Sequence, residues 1–377
     1  GFTTTGATVV ADVEGLTKGS LFWRSFSHWI GGMGVLVFLL AIVPMAGGSH
    51  MNLMKAESPG PSVGKLVPKV RQTAKYLYII YFTLTMIEVI FLLFGGMNLF
   101  EALTTSFGTA GTGGFAIWND GFVSVSPYNQ WVVTIFMLLF GVNFGFYFLI
   151  LTGKLRDALK FEEVRIYFII VIAAAVFIFI NLRHFALYAP AEGIRQAFFQ
   201  VASIITTTGF ASADFNLWPE TSRTILVLLM FIGACAGSTG GGIKVSRFII
   251  ACKSFIKEII SYLHPRSVKK IKIEGKPLEH ETLRATNVYF MTYMVIFAVS
   301  VLLVSIENKD LVTNFAAVAA TFNNIGPGLS LVGPMENFGH FTDFTKYILM
   351  FDMLAGRLEI FPMMLLFCPA VWKRRRA

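Results

Sequence analysis

Apolar residues gather along the chain into long runs separated by short polar links. The runs at 26–46, 76–97, 129–152, 164–182, 222–256, 286–306 and 343–372 mostly approach the roughly 20 residues that a helix needs to cross a bilayer. Two of them are too long to be simple. The run at 222–256 is interrupted by Gly233-Ala234-Cys235-Ala236-Gly237-Ser238-Thr239-Gly240-Gly241-Gly242. Glycine is poor in helices and bare backbone in lipid has no partner, so this run predicts a helix broken inside the membrane. The run at 343–372 would be roughly 45 Å long as one helix, which predicts a tilt or a kink, with Pro362 as the kink site.

Between these runs lie shorter helical stretches at 98–109, 192–205 and 310–322, each with an apolar face such as Phe198, Val201, Ile204 and Ile205. They are too short to cross. Each runs into a related segment: Gly111-Thr112-Gly113-Gly114-Phe115, Thr206-Thr207-Thr208-Gly209-Phe210 and Asn323-Asn324-Ile325-Gly326-Pro327. A fourth, Thr3-Thr4-Thr5-Gly6-Ala7, opens the chain, so the theme recurs roughly every hundred residues. A half-length helix points its partial negative C-terminal end at the loop that follows, which favours a cation there. Glycine can hold backbone carbonyls in conformations closed to other residues, and a ring of carbonyls is what replaces water around a potassium ion. The pattern therefore predicts an all-α polytopic membrane protein with a pseudo-fourfold repeat of helix, re-entrant pore helix, filter loop and helix, built to conduct cations. The repeats fall at 76–152, 164–256 (with the broken helix) and 286–372. Residues 1–46 hold the filter and second helix of repeat one, and 47–75, 153–163 and 257–285 are cytoplasmic links.

Composition agrees with the class. With 55% hydrophobic and 14% charged residues and a mean hydropathy of +0.66, a soluble protein would expose far too much apolar surface. The charge distribution adds orientation. Lys55, Lys65, Lys69, Arg71, Lys75, Lys154, Arg156, Lys160, Arg165, Arg266, Lys269, Lys270, Lys272, Lys276 and the tail Lys373-Arg374-Arg375-Arg376 all fall in links or at the end, which places these on the cytoplasmic side. Asp12, Glu14, Asp120, Asp214, Glu220, Glu336 and Asp343 follow the glycine segments instead, at the outer mouth. There they either concentrate cations or are ordinary solvated loop residues.

Chemistry other than permeation has little support. Cys235, Cys252 and Cys368 lack ligand spacing and read as small apolar residues, and His28, His50, His184, His264, His280 and His340 are scattered, so neither a metal centre nor a catalytic triad is predicted and the chain is not read as an enzyme. A nucleotide loop would need glycine just before Lys244, where Ile243 stands, and Gly31-Gly32-Met33-Gly34 lacks the strand and third glycine of a dinucleotide fingerprint. The basic link at 253–284 suits anionic lipid headgroups, and nucleic acid is not expected because aromatic-basic interleaving is missing. Two alternatives stay open: a secondary transporter of a small solute, disfavoured because these repeats all run in one orientation, and a sodium- or ammonium-conducting relative.

Two features below the glycine segments have both a structural and a functional reading. The loop at 233–242 is either a gate that moves when the helix at 243–256 is pulled, or a static loop relieving helix crowding. Arg357 sits deep in an apolar run, and its helical neighbours Met353, Leu354, Ile360 and Phe361 include no acid. It either ties down carbonyls of the loop or places a positive barrier in the cation path, and the two are compatible. Glu88, Asp352 and Glu359 are read as structural ion pairs.

At this point the chain resembles the TrkH-type membrane subunits of the Trk/Ktr/HKT potassium-transporter superfamily. The resemblance rests on the four segments, on Gly237-Ser238-Thr239-Gly240-Gly241-Gly242-Ile243-Lys244 and on Ala355-Gly356-Arg357-Leu358-Glu359. It implies four fused copies of a two-helix potassium channel and filter residues Thr5, Gly6, Gly113, Gly114, Thr208, Gly209, Ile325 and Gly326. It also implies a gate at Gly237–Gly242 with Lys244 and Arg357. In segment two Gly111 and Gly113 compete with Gly114, which is chosen because an apolar residue follows it. Further implications are potassium as the substrate ion, no cofactor in this chain, a homodimer, and a TrkA-like cytosolic subunit through which alone a nucleotide (NAD or ATP/ADP) would act. The location implied is the inner membrane of a bacterium or archaeon. Against the family pattern, the chain opens inside a motif, so the extra N-terminal helices and the first helix and pore helix of repeat one are expected to be missing.

Overall fold

A computed structural model describes residues 1–34, 70–264, 270–358, 360–365, 367 and 369. The second half of the 26–46 run, most of the link at 47–75, Arg266, Lys269, Glu359, Cys368 and the basic tail lie outside the described residues. The molecule is an all-α, polytopic membrane protein. The helices are α1 (Lys18–Met33), α2 (Val70–Phe94), α3 (Leu99–Ala110), α4 (Pro127–Phe140), α5 (Phe144–Leu151), α6 (Leu155–Ala158), α7 (Glu162–His184), α8 (Pro190–Ile205), α9 (Glu220–Ile232), α10 (Val245–Leu263), α11 (His280–Val304), α12 (Leu311–Phe322), α13 (Asp343–Arg357) and α14 (Ile360–Leu365). A small hairpin, β1 (Lys272–Ile273) and β2 (Lys276–Pro277), is the sole β pairing among the described residues.

Among the described residues three helices are long and apolar enough to cross a membrane: Lys75–Phe94 within α2, α7, and α11 with the turn that extends it to Glu307. One face of each is turned outward, as with Ile169, Ile172, Val176 and Ile180 on α7 or Met291, Met294, Val295 and Leu302 on α11. In lipid those side chains need no cover. The opposite stripe of α7, Val171, Ala175, Ile178 and Leu182, enters the core.

The short stretches are half-length helices sealed by local chemistry. Asn98 and Glu101 form a reciprocal capping box at the start of α3, Pro190 occupies the first position of α8, and the Asp310 carboxylate accepts the Thr313 N–H of α12 at 2.9 Å. Hydrogen bonds from the Thr313 hydroxyl and amide hold the Asp310 carboxyl below its usual range. Each half-length helix packs against the helix before it, the helix after it and one earlier long helix: α3 against α2, α4 and α1; α8 against α7, α9 and α4; α12 against α11, α13 and α9. Their C-terminal halves are buried, whereas Leu99, Ile194, Leu311 and Val312 near their starts are exposed.

Three runs differ from expectation. The run at 129–152 is not one span: α4 and α5 meet at 89°. A methyl on Gly141 would press on the Tyr167 hydroxyl and Thr206, and Asn143 caps α5 through Gly145 N at 2.8 Å, so the turn is both permitted and held. The run at 343–372 breaks at Leu358, whose backbone is extended, rather than at Pro362 itself. Proline at 362 cannot donate to the carbonyl four residues earlier, and that carbonyl belongs to Leu358. The run at 26–46 begins as a helix at Lys18, and α1 stops at Met33 with Gly34 at φ 75°. The 222–256 run is broken where expected, between Ile232 and Val245, although α10 continues to Leu263.

Small residues set the close approaches. A methyl on Gly356 of α13 would collide with the carbonyl of Phe322, the last residue of α12. Gly356→Ala is expected to lower stability by ~2 kcal/mol through overpacking, read as a lower melting temperature of the detergent-solubilised protein.

Candidate functional site

The four glycine segments share one backbone signature. In each, a residue in the left-handed region precedes by two a glycine at positive φ: Thr4 (53°) and Gly6 (72°), Thr112 (51°) and Gly114 (73°), Thr207 (60°) and Gly209 (81°), Asn324 (56°) and Gly326 (95°). Threonine there is strained and asparagine less so, so the surroundings over-determine this shape. Part of that support is visible. Gly113, Thr208 and Ile325 turn their N–H groups back to Gly108, Ser203 and Ala320 of the preceding helix at 2.9, 2.9 and 2.8 Å.

The segments close into a ring. A methyl on Gly6 would meet the carbonyl oxygen of Gly113, one on Gly114 that of Thr208, one on Gly209 that of Ile325 and one on Gly326 that of Thr5, none farther than 2.5 Å. The sequence-predicted residues Thr5, Gly6, Gly113, Gly114, Thr208, Gly209, Ile325 and Gly326 are thus brought to one place. Each carbonyl oxygen stands beside the glycine of the preceding segment, and Thr5 of the first closes onto Gly326 of the fourth. Gly111 and Gly113 do not compete for the register. A methyl on either would collide with His28, whose ring stacks on Phe115 at 4.1 Å, so these two glycines make room for a buried histidine.

Outside the ring, a cavity of about 120 Å³ is lined by Gly6, Gly114, Gly209 and Gly326. Of the seven acids expected at this mouth, Glu336 alone lines it. The others serve local structure: Asp12 and Glu14 bind Asn119, Asp120 accepts from Ser124, Asp214 from Asn216, Glu220 pairs with Arg223 and Asp343 with Lys346. The Asn119 amide holds the Asp12 carboxyl below its usual range. The charged residue that the sequence did not single out is Arg24, which lines the cavity, lies over the Phe115 ring at 4.3 Å and donates to Thr8 Oγ1 at 3.2 Å.

On the other side of the ring lies the broken segment between α9 and α10. Gly241 donates its N–H to Thr207 Oγ1 at 2.6 Å, the Thr112 hydroxyl donates to Thr239 O at 2.8 Å, and a methyl on Gly241 would press on Asn323 O. Threonines 112 and 207, left out of the predicted site, therefore tie the ring to the loop beneath it. The signal was present, since each is the residue two before a glycine of the predicted site, Gly114 and Gly209. The bend between α4 and α5 holds the loop from the side: Cys235 N donates to Gly141 O at 3.0 Å, and Phe144 N donates to Gly237 O at 2.9 Å.

Both predicted cations reach this loop. Lys244, fully buried at φ 85°, donates from Nζ to the carbonyl of Gly240. Arg357, at the C-terminus of α13, donates to Thr239 O at 2.8 Å, to Gly32 O at 3.0 Å and to Gly31 O. The last two are end carbonyls of α1, which no further helical turn can satisfy. Arg357 thus joins the loop to a helix far away in sequence through three backbone carbonyls. Neither Glu88 nor Asp352 forms an ion pair among the described residues, contrary to expectation. Asp352 accepts from the Ser300 hydroxyl of α11 at 2.7 Å.

Comparison with known proteins is consistent in sequence and fold. Residues 1–374 match the family model TrkH, described as cation transport protein. The Trk system potassium uptake protein TrkH of Escherichia coli (strain K12) is 38% identical over 382 residues, covering 99% of this chain and 78% of that protein. TrkG of the same organism is 32% identical over 379 residues, covering 99% and 77%. The crystal structure of the potassium transporter TrkH from Vibrio parahaemolyticus matches with a TM-score of 0.87 at 34% identity, covering 99% of this chain and 77% of that one. The chain belongs to the TrkH family of cation transport proteins.

Proposed function

We propose that this protein takes up potassium through a channel-like pore whose selectivity filter is the ring of Thr5, Gly113, Thr208 and Ile325 carbonyls beside Gly6, Gly114, Gly209 and Gly326. The observation that carries the reading is the cyclic contact of the four segments, each carbonyl against the preceding segment's glycine. The C-termini of α3, α8 and α12 aim their partial negative ends at it. The three units of helix, half-length helix, loop and helix, and the loop and helix that open the chain, are then repeats of one element. The names of the relatives, Trk system potassium uptake proteins, support potassium as the ion.

The broken segment Gly237–Gly242, with Lys244 and Arg357, is the gate. It lies directly against the filter threonines, so an ion leaving the ring meets it next. The protein works in the inner membrane as a homodimer with a cytosolic, nucleotide-sensing regulatory subunit that moves α10. Rubidium-86 uptake into proteoliposomes by the full-length protein, with sodium as competitor, tests the reading. Selective uptake that sodium does not suppress is expected. Uptake that is absent, with the regulatory subunit present, or is equally suppressed by sodium, would replace it with a small-solute or sodium-conducting reading.

A further inference from the structure

Two adjacent acids at the start of α7 hold the broken segment and the helix that follows it: Glu163 reaches the segment and Glu162 reaches α10. Glu163, 7% exposed, accepts through its Oε1 from the N–H of Ala236 at 2.7 Å and of Ser246 at 3.0 Å. Ala236 precedes the gate glycines, and Ser246 lies in the first turn of α10. One carboxylate oxygen therefore holds both sides of the loop. Glu162, one position earlier, leaves α7 about 100° away around the helix and pairs through its other face with Lys253 Nζ of α10 at 2.6 Å. Lys253 is two turns beyond Ser246. The same Lys253 donates to Lys272 O at 2.7 Å, and Glu162 accepts from Glu274 N at 3.4 Å, so the β1–β2 hairpin is tied to this pair as well.

We infer that Glu162 and Glu163 are positioning residues of the gate, a two-point clasp that keeps the broken segment across the ion path. This deepens the reading above and rests on it. Both carboxylates sit in the first turn of α7, where the helix dipole favours negative charge. Charge-assisted bonds in a buried site are among the stronger ones a backbone amide can make. The geometry makes them release points. α10 cannot move along or away from α7 without stretching Glu163–Ser246 and Glu162–Lys253 together, and once Ser246 leaves, Ala236 is held by the same oxygen alone. A pull on the hairpin reaches Lys253 first. The clasp thus gives any force on the cytoplasmic side a defined route to the loop, with no contact to the filter.

Rubidium-86 uptake into proteoliposomes without any cytosolic subunit separates this role from a scaffold role. Glu163→Ala is expected to raise the subunit-free rate about tenfold, within the usual range of coupling between distant elements, while the preference for rubidium over sodium stays at the wild-type value. Glu163→Gln keeps an acceptor oxygen and is expected to fall between the two. Lys253→Glu sets like charges against Glu162 and is expected to raise the subunit-free rate, and the double exchange Glu162→Lys with Lys253→Glu is expected to bring it back. Glu163→Ala protein present in the membrane at normal amount with an unchanged subunit-free rate overturns the clasp. Should Glu163→Ala fail to accumulate, the half-exposed Lys253 series decides by itself, and a charge exchange that restores nothing overturns the clasp equally. Selective wild-type uptake with unresponsive variants removes the clasp alone, whereas wild-type protein with no selective uptake even after the regulatory subunit is added removes the potassium reading along with it.

Discussion

Gly209→Ser is expected to cost the protein its preference for potassium over sodium by about tenfold or more, because a shift of only 1.4 kcal/mol in relative coordination is a factor of ten. Serine at φ 81° is strained, and its Cβ would collide with Ile325 O and lie 2.9 Å from the Pro327 ring. The Ile325 carbonyl has no room to retreat from that side chain, since its own N–H is pinned to Ala320 and Gly326 abuts Thr5. One substitution therefore perturbs two of the four quadrants. The measurement is rubidium-86 uptake against increasing sodium, with Gly19→Ser as the control, because nothing lies within 4 Å of a side chain added at Gly19. Selectivity equal to wild type in Gly209→Ser would mean that the ring is a packing feature.

Arg357→Ala is expected to act on the other side of the ring and in the opposite sense, raising subunit-free cation flux about tenfold while selectivity is kept. The guanidinium holds Thr239 of the loop to the Gly31 and Gly32 carbonyls of α1. Hydrogen bonds from a charged group are worth about 1.5–3 kcal/mol each, so losing even one exceeds the roughly 1.4 kcal/mol that corresponds to tenfold. A positive charge leaves the vicinity of the ion path in the same step, which works in the same direction. Arg357→Lys retains the charge but presents a point donor in place of a planar fork and cannot span the loop and α1 together, so an intermediate flux is expected. The pair of variants separates tether from charge: equal fluxes in Ala and Lys would assign the effect to the tether. A flux in Arg357→Ala at or below wild type, with normal amounts of protein in the membrane, would remove the gate role from this residue.

Much of this was legible in the chain. The half-length helices at 98–109, 192–205 and 310–322 differ from α3, α8 and α12 by at most two residues at either end, because the glycine segments end them and cap chemistry at Asn98, Pro190 and Asp310 begins them. The broken run was legible because ten residues rich in glycine cannot be helical in lipid. What escaped were features whose cause is a distant partner. The 89° bend after Phe140 depends on Tyr167 and Thr206 closing on Gly141 and on the loop that receives its exposed backbone groups. The sequence left the acids after the four segments open between a cation-concentrating mouth and ordinary loop residues; only the structure shows that each but Glu336 bonds to a neighbour and that Arg24 lines the cavity with Glu336.

Periodicity, length and glycine spacing are local properties, and from them the sequence by itself determined the class of protein, the half-length helices, the four related segments and the break between α9 and α10. Register and closure are relations between residues a hundred or more positions apart. The sequence chose Gly114 over Gly111 and Gly113 because an apolar residue follows it, and the tertiary structure adds the physical reason that His28 fills the space beside the other two. That structure alone set Thr5 beside Gly326 to close the ring, Arg357 against both α1 and the loop, and Glu163 on Ala236 and Ser246. Backbone carbonyls and amides carry those contacts, and every residue type possesses them, so no pattern of side chains along the chain announces where they will meet.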